Sequence, residues 1–275
     1  MQEFEGRTAV VTGAASGIGN AIARRLAAAG MSIVLADIES GPLGAAAAEI
    51  AASGVPALAV VTDVSDAGSV DALAAAARDA FGPVHVLVNN AGVGNRGRAW
   101  ELSVDDWRWV HGVCFWGVVH GIASFVPGMI ASSEEGHIVN TSSMMGLGTA
   151  AEGGPYQSAK HAVTALTETL AFDLAEVAPQ IKATLLCPGY VDTRIADSAR
   201  NRPGAPGPLP AANIAAAQPG SAVPVPPEGI AELAFDAIVR ERFYALADWD
   251  IWRPLVASRF DAILDADSPA PVRLP

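Results

Sequence analysis

A chain of 275 residues with 51% hydrophobic side chains is long enough to bury one large α/β core. Its formal net charge of −12, from 17 Lys and Arg against 29 Asp and Glu, argues against a nucleic-acid partner, because neutralising phosphates needs clustered cations that the sequence lacks. The two cysteines, Cys114 and Cys187, have neither the number nor the spacing of a disulfide framework or a zinc site, which fits a reducing, cytoplasmic setting.

The opening "MQEFEGRTAV" lacks the basic and apolar regions of a secretory signal, and no run of about 18 uninterrupted apolar residues argues for a membrane span. Six apolar runs follow in order: "TAVVT" (8–12), "SIVLAD" (32–37), "ALAVVTD" (57–63), "VHVLVNN" (84–90), "HIVNTS" (137–142) and "KATLLC" (182–187). Each has the length of a buried strand, and the segments between them are long enough for crossover helices. That alternation predicts a parallel sheet with helices on both faces. The Ala-rich tracts "GAAAAEIAASG" and "DALAAAARDAFG" are covering helices, each ending at a glycine.

Between the first strand and the first helix lies "TGAASGIG". A strand, a glycine cluster and a helix in that order form the context in which a dinucleotide pyrophosphate is held. Gly13, Gly17 and Gly19 allow the tight turn and close backbone approach, and the helix N-terminus favours the charge. Asp37 closes the second strand, 18 residues beyond Gly19. A carboxylate there accepts hydrogen bonds from ribose hydroxyls and repels a 2′-phosphate, and neither the glycine loop nor the residues just after Asp37 offer a cation, so NAD is expected over NADP. The competing reading is a solvated strand-end carboxylate.

Further along, "YQSAK" sets Tyr156 and Lys160 four apart on one helical face. An ammonium beside a phenol is expected to lower its pKa, as a tyrosine base requires. The pair gains weight from order: glycine loop, "NNAG" (89–92), "NTSS" (140–143) ending thirteen residues before Tyr156, then "PGYVDT" (188–193).

That ordered set resembles the short-chain dehydrogenase/reductase family from Gly6 to about Leu264. The resemblance implies one Rossmann-type, doubly wound domain over 1–275, with a sheet of about seven parallel strands and "FYALAD" (243–248) as the seventh. It implies that Ser16, Ile18, Val64, Ala91 and Gly92 line the NAD site, that Asp63 contacts the adenine end and that Asn90 lies beside the adenosine ribose. Lys160 would hold the nicotinamide ribose, and Pro188, Gly189, Val191 and Thr193 would border the carboxamide. Ser143 would anchor the substrate oxygen while Ser142 faces away. No metal is implied. Relatives pair two long helices, here about 103–131 and 154–177, across interfaces, so a homotetramer, or a homodimer, is expected.

In the family pattern an Asn stands where this chain has Cys114, within "GVCFWGVVHG". That Asn accompanies a local break in its helix and completes a tetrad with Ser, Tyr and Lys. A thiol cannot copy an amide's donors and strong acceptor. Three readings stand: a variant in which the thiol merely packs, reduced or altered chemistry including a deliberately changed residue, and a redox or nucleophilic thiol with His111 one turn earlier. His85, His137 and His161 are expected to be structural.

The Pro-rich stretch 194–227 is expected to act as a substrate lid, and about 249–275 as a C-terminal extension in which Trp249 and Trp252 either pack or close over substrate. Gly94, Met144, Met145, Leu147, Tyr190 and Ile195 are expected to line the substrate pocket, with no cluster of Arg or Lys. The expected reaction interconverts an uncharged, hydrophobic secondary alcohol and its ketone. Two rivals are a non-redox isomerase or cyclase on the same fold and a non-catalytic NAD-binding partner.

Overall fold

The computed structural model describes residues 1–204 and 224–269. Seven strands, β1 (Thr8–Thr12), β2 (Ser32–Asp37), β3 (Ala57–Val61), β4 (Val86–Asn89), β5 (Gly136–Thr141), β6 (Ile181–Cys187) and β7 (Tyr244–Leu246), form one sheet in the order β3-β2-β1-β4-β5-β6-β7. Every pairing is parallel. The expected fold class, a doubly wound Rossmann-type sheet of seven strands, is the observed one.

Alternation along the central strands feeds two cores. Val11, Leu35 and Val139 point into one with α1 (Gly17–Ala27), α2 (Ser40–Ala52) and α7 (Pro227–Val239). Val10, Val34 and Ile138 point into the other, with α3 (Ala67–Phe81), α5 (Gly117–Ser132) and α6 (Gly154–Val177). Ile138 is fully buried, so truncation to alanine there costs about 2–5 kcal/mol. β3 lies at the sheet edge, and Val61 is exposed.

α4 (Val104–His111) begins at a capping box: Ser103 Oγ accepts from Asp106 N, and the Asp106 carboxylate accepts from Ser103 N at 2.8 Å. It runs through a π-helical turn, Gly112–Trp116, into α5. By length and composition the run Val104–Ser132 is apolar enough to cross a membrane, although polar residues interrupt it. Here it packs instead against α3 and α6 and buries Val118, Phe125, Val126 and Met129. A last helix, α8 (Trp249–Leu264), buries Trp252 and Val256 beside β6 and α6. Of the expected lid and C-terminal extension, residues 205–223 and 270–275 lie outside the described residues.

Candidate active site

The strand order reverses between β1 and β4, and loops from both open into a cavity of about 930 Å³. Doubly wound sheets hold ligands at such reversals. Gly13 leaves β1 with φ +67°, and a Cβ there would stand 2.8 Å from Ala91 Cα, so both conformation and space exclude a side chain. Asn90 fixes that approach. Its amide donates to Thr12 O at 3.0 Å, while Thr12 Oγ1 accepts from the N–H groups of Asn90 and Ala91 at 2.9 and 3.1 Å. α1 then starts behind Ser16, which makes no side-chain cap, and has no acidic residue in its first turn. Its leading amides are left as donors beside cavity-lining Ser16, Gly17 and Ile18, a set that fits a pyrophosphate.

Gly19, expected among the cofactor contacts, sits behind the cavity instead. A Cβ there would lie 2.2 Å from Gly13 O, so this glycine lets α1 pack on the loop. Asp37 lines the cavity with its carboxylate accepting from Ala15 N at 3.1 Å and Glu39 N at 3.0 Å. Asp63 and Val64 border the same side, and the Asp63 carboxylate accepts from Ser65 N and Oγ. Asn90, Ala91 and Gly92 form one wall; Pro188, Gly189, Val191 and Thr193, after β6, form another.

The end of β5 delivers Ser142 and Ser143 side by side, and both border the cavity, with different bonds. Ser142 Oγ is buried and donates to Lys160 O at 2.9 Å, tying β5 to α6. Ser143 lines the cavity, and its Oγ accepts from Met145 N at 3.1 Å, capping a short 3₁₀ turn. α6 brings Tyr156 and Lys160 to the same wall. Lys160 Nζ donates to Thr141 O at 2.7 Å and lies 5.7 Å from the centre of the Tyr156 ring. The expectation that this ammonium makes the phenol acidic needs correction for the cofactor-free protein. Burial pushes Tyr156 well above the ordinary tyrosine value and outweighs the pull of the Ser143 hydroxyl, while burial also lowers Lys160. Loss of hydration disfavours the phenolate and the ammonium alike.

Cys114 is the middle residue of the π turn and is fully buried. Its Sγ accepts from Val93 N at 3.4 Å and donates to Val93 O at 3.2 Å. It does not line the cavity, so its expected place among the catalytic contacts is corrected to one behind the wall. The helix break expected with Asn is present with Cys. His111 does not serve the thiol: its Nε2 pairs with Ser158 Oγ at 2.9 Å, and its ring stacks on Trp107.

On the substrate side, Gly94, Met145, Tyr190 and Ile195 line the cavity as expected. Met144 and Leu147 do not. The 3₁₀ turn sends Met144 into the cluster of Val163, Leu185 and Trp252, and Leu147 packs on that cluster. Trp252 reaches the cavity, whereas Trp249 packs behind it. The histidines at 85, 137 and 161 bond to structural partners: Thr8 N, Thr184 Oγ1 and Gln157 O.

Residues 7–204 match the family model described as short chain dehydrogenase. The chain belongs to the short-chain dehydrogenase/reductase family. It is 35% identical over 250 residues to a 1-deoxy-11-beta-hydroxypentalenate dehydrogenase of Streptomyces arenae, covering 89% of this chain and 83% of that one. It superposes with a TM-score of 0.91, at 42% identity and over 100% of both chains, on a crystal structure of a short chain dehydrogenase/reductase from Burkholderia phymatum in complex with NAD. A metagenomic short-chain oxidoreductase in complex with NADP is more distant, with a TM-score of 0.69 and 29% identity over 87% of this chain and 94% of that one. The protein is therefore a nicotinamide-dependent oxidoreductase of this family.

This dehydrogenase also lines its cavity with residues the sequence reading missed. Trp109 and Val113 contribute from α4 and the π turn. They stand one helical turn apart, just before Cys114, and that spacing was the available signal. Arg96, Arg194 and Arg200 line it too, correcting the expectation of a cavity without clustered cations. Each is paired with a glutamate: Arg96 with Glu152 at 3.4 Å, and Arg194 and Arg200 with Glu39 at 3.6 and 2.6 Å.

Proposed function

We propose that this protein is an NAD-dependent dehydrogenase/reductase that interconverts an uncharged, bulky secondary alcohol and its ketone. The observation that carries the reading is the placement of Ser143, Tyr156 and Lys160 on one wall of the cavity that also contains the glycine loop and Asp37. NAD⁺, when bound, would supply a hydride acceptor and a positive charge that favours the phenolate.

In this reading Ser143 Oγ orients the substrate oxygen, and Tyr156 takes the hydroxyl proton as the carbinol C–H bond breaks. Lys160 holds the nicotinamide ribose and its charge favours the phenolate. Asp37 engages the adenosine ribose hydroxyls and disfavours a 2′-phosphate. The NAD-bound Burkholderia structure supports this preference, and the more distant relative in complex with NADP belongs to the same family.

Apolar Met145, Ile195, Trp109, Val113 and Trp252 favour a hydrophobic substrate, and pairing of the lining arginines with glutamates favours one without charge. The Streptomyces relative is named for a hydroxylated carboxylate, which supports an alcohol but not the absence of charge. Trp116 on the π turn and Phe172 on α6 are exposed, which supports pairing of these two long helices between copies in a homotetramer.

The test is reduction of NAD⁺, followed by near-ultraviolet absorbance, with a panel of secondary aryl, alicyclic and steroidal alcohols. Turnover of one or more is expected. NAD binding without reduction by any of them would favour a non-redox role.

A further inference from the structure

The chain beyond β6 crosses the cavity and is tied down on both sides. It leaves Thr193, whose Oγ1 accepts from Ile195 N, and winds through a 3₁₀ segment, Arg194–Asn201. On the adenosine side, Arg200 Nε and Nη2 donate to the two carboxylate oxygens of Glu39 at 3.1 and 2.6 Å. Arg200 Nη1 also donates to the carbonyls of Arg194 and Asp197, which fixes the guanidinium on its own segment. In the middle, Ser198 Oγ accepts from Gly94 N at 2.9 Å and donates to Gly94 O at 3.2 Å. On the substrate side, Arg202 Nη1 donates to Asp106 Oδ1 at 2.5 Å. That carboxylate also accepts from Asn95 Nδ2 at 2.9 Å and from the Ser103 hydroxyl and amide through Oδ2.

We propose that residues 194–202 form a clasp over the dinucleotide groove, and that Arg200, through its two-pronged bond to Glu39, is a positioning residue that sets how fast bound dinucleotide leaves. The inference rests on the reading of this groove as the NAD site. Glu39 lies just past β2, and Arg194, Ile195, Ala196 and Arg200 line the same cavity as the glycine loop. A dinucleotide seated there lies beneath the strap. It leaves only when the strap lifts, and lifting breaks the bidentate pair, among the strongest side-chain contacts available. The Arg200 side chain is 15% exposed and that of Glu39 17%, so the pair is shielded from full solvent screening. The Arg200 hydrogen bond and charge hold the Glu39 carboxyl below its ordinary value, against the opposing effect of burial.

The experiment is stopped-flow displacement of NADH from the full chain, followed by nicotinamide fluorescence, for wild type, Arg200→Gln, Glu39→Gln and the double variant Glu39→Gln/Arg200→Gln. Far-ultraviolet circular dichroism checks that each folds. Both single variants are expected to release NADH roughly tenfold faster. The KM for NAD should rise more than kcat falls, and the double variant should release NADH no more than about threefold faster than either single variant. Release unchanged in both single variants, or a double variant whose acceleration is the full product of the two single ones, overturns the clasp while leaving the dehydrogenase reading intact. A wild type that binds no NADH overturns both.

Discussion

The thiol of Cys114 and the peptide of Val93 are bonded in both directions, N–H to sulfur at 3.4 Å and S–H to carbonyl at 3.2 Å. This joins the centre of the π turn to the loop after β4, whose neighbouring Gly92 lines the cavity. A Cβ on Gly92 would lie 3.8 Å from Cys114 Sγ and 3.9 Å from Lys160 Nζ, so the three groups are close neighbours. The thiol thus bonds backbone and takes no place on the reacting wall.

Cys114→Ala strands the buried amide and carbonyl of Val93 and should cost about 1–3 kcal/mol of stability. Urea denaturation checks this. Cys114→Asn restores a donor and an acceptor and should leave turnover unchanged or raise it. Collapse of activity in the asparagine variant, with folding intact, would show that the sulfur itself is needed.

Asp37 is the lining carboxylate at the end of β2, and both its oxygens are held by backbone amides. Asp37→Ser should raise the ratio of kcat/KM for NADP to that for NAD by at least about tenfold, mostly through loss of NAD binding and of repulsion toward the 2′-phosphate. Initial rates with both cofactors measure that ratio. An unchanged ratio would place the discrimination elsewhere.

His137 gives the fold a pH dependence. Thr184 Oγ1 spends its proton on Arg242 O, so His137 Nε2 donates to Thr184 and Nδ1 is left buried without a partner. Burial, then the N-terminal amine and Lys182, lowers its pKa from 6.5 to about 3. The unfolded chain takes up this proton first as pH falls, so the contribution is complete above 6.5 and is lost progressively toward 3. The slope is at most about 1.4 kcal/mol per pH unit. Urea midpoints should fall further between neutral and mildly acidic pH in wild type than in His137→Gln; equal falls would contradict the assignment.

The sequence carried the parts of the site that are local. The glycine loop sits on a strand-to-helix junction, and Tyr156 and Lys160 share one helical turn, so short-range spacing was enough to place both. The strands were legible because a strand buried on both faces is a continuous apolar run, as in β1 and β4. Neighbouring residues after β5 were harder. Met144 and Met145 look alike in sequence, and only the 3₁₀ turn sends one into the core and the other to the cavity. Arg200 and Glu39 are 161 residues apart and meet only once the strap has folded across the groove, so no periodicity could pair them. The upward shift of Tyr156 in the cofactor-free protein was not legible for a related reason: spacing reports the partner on the helix, and burial is set by the whole cavity.

The central claim is that Tyr156 moves the proton while the nicotinamide takes the hydride. Its most direct test is single-turnover oxidation by Tyr156→Phe of whichever alcohol the wild type turns over, with NADH binding measured alongside. The account predicts a fall in the chemical rate of about 10²–10⁴-fold with binding retained. A rate within a few fold of wild type, in a protein that still binds the dinucleotide, would contradict it.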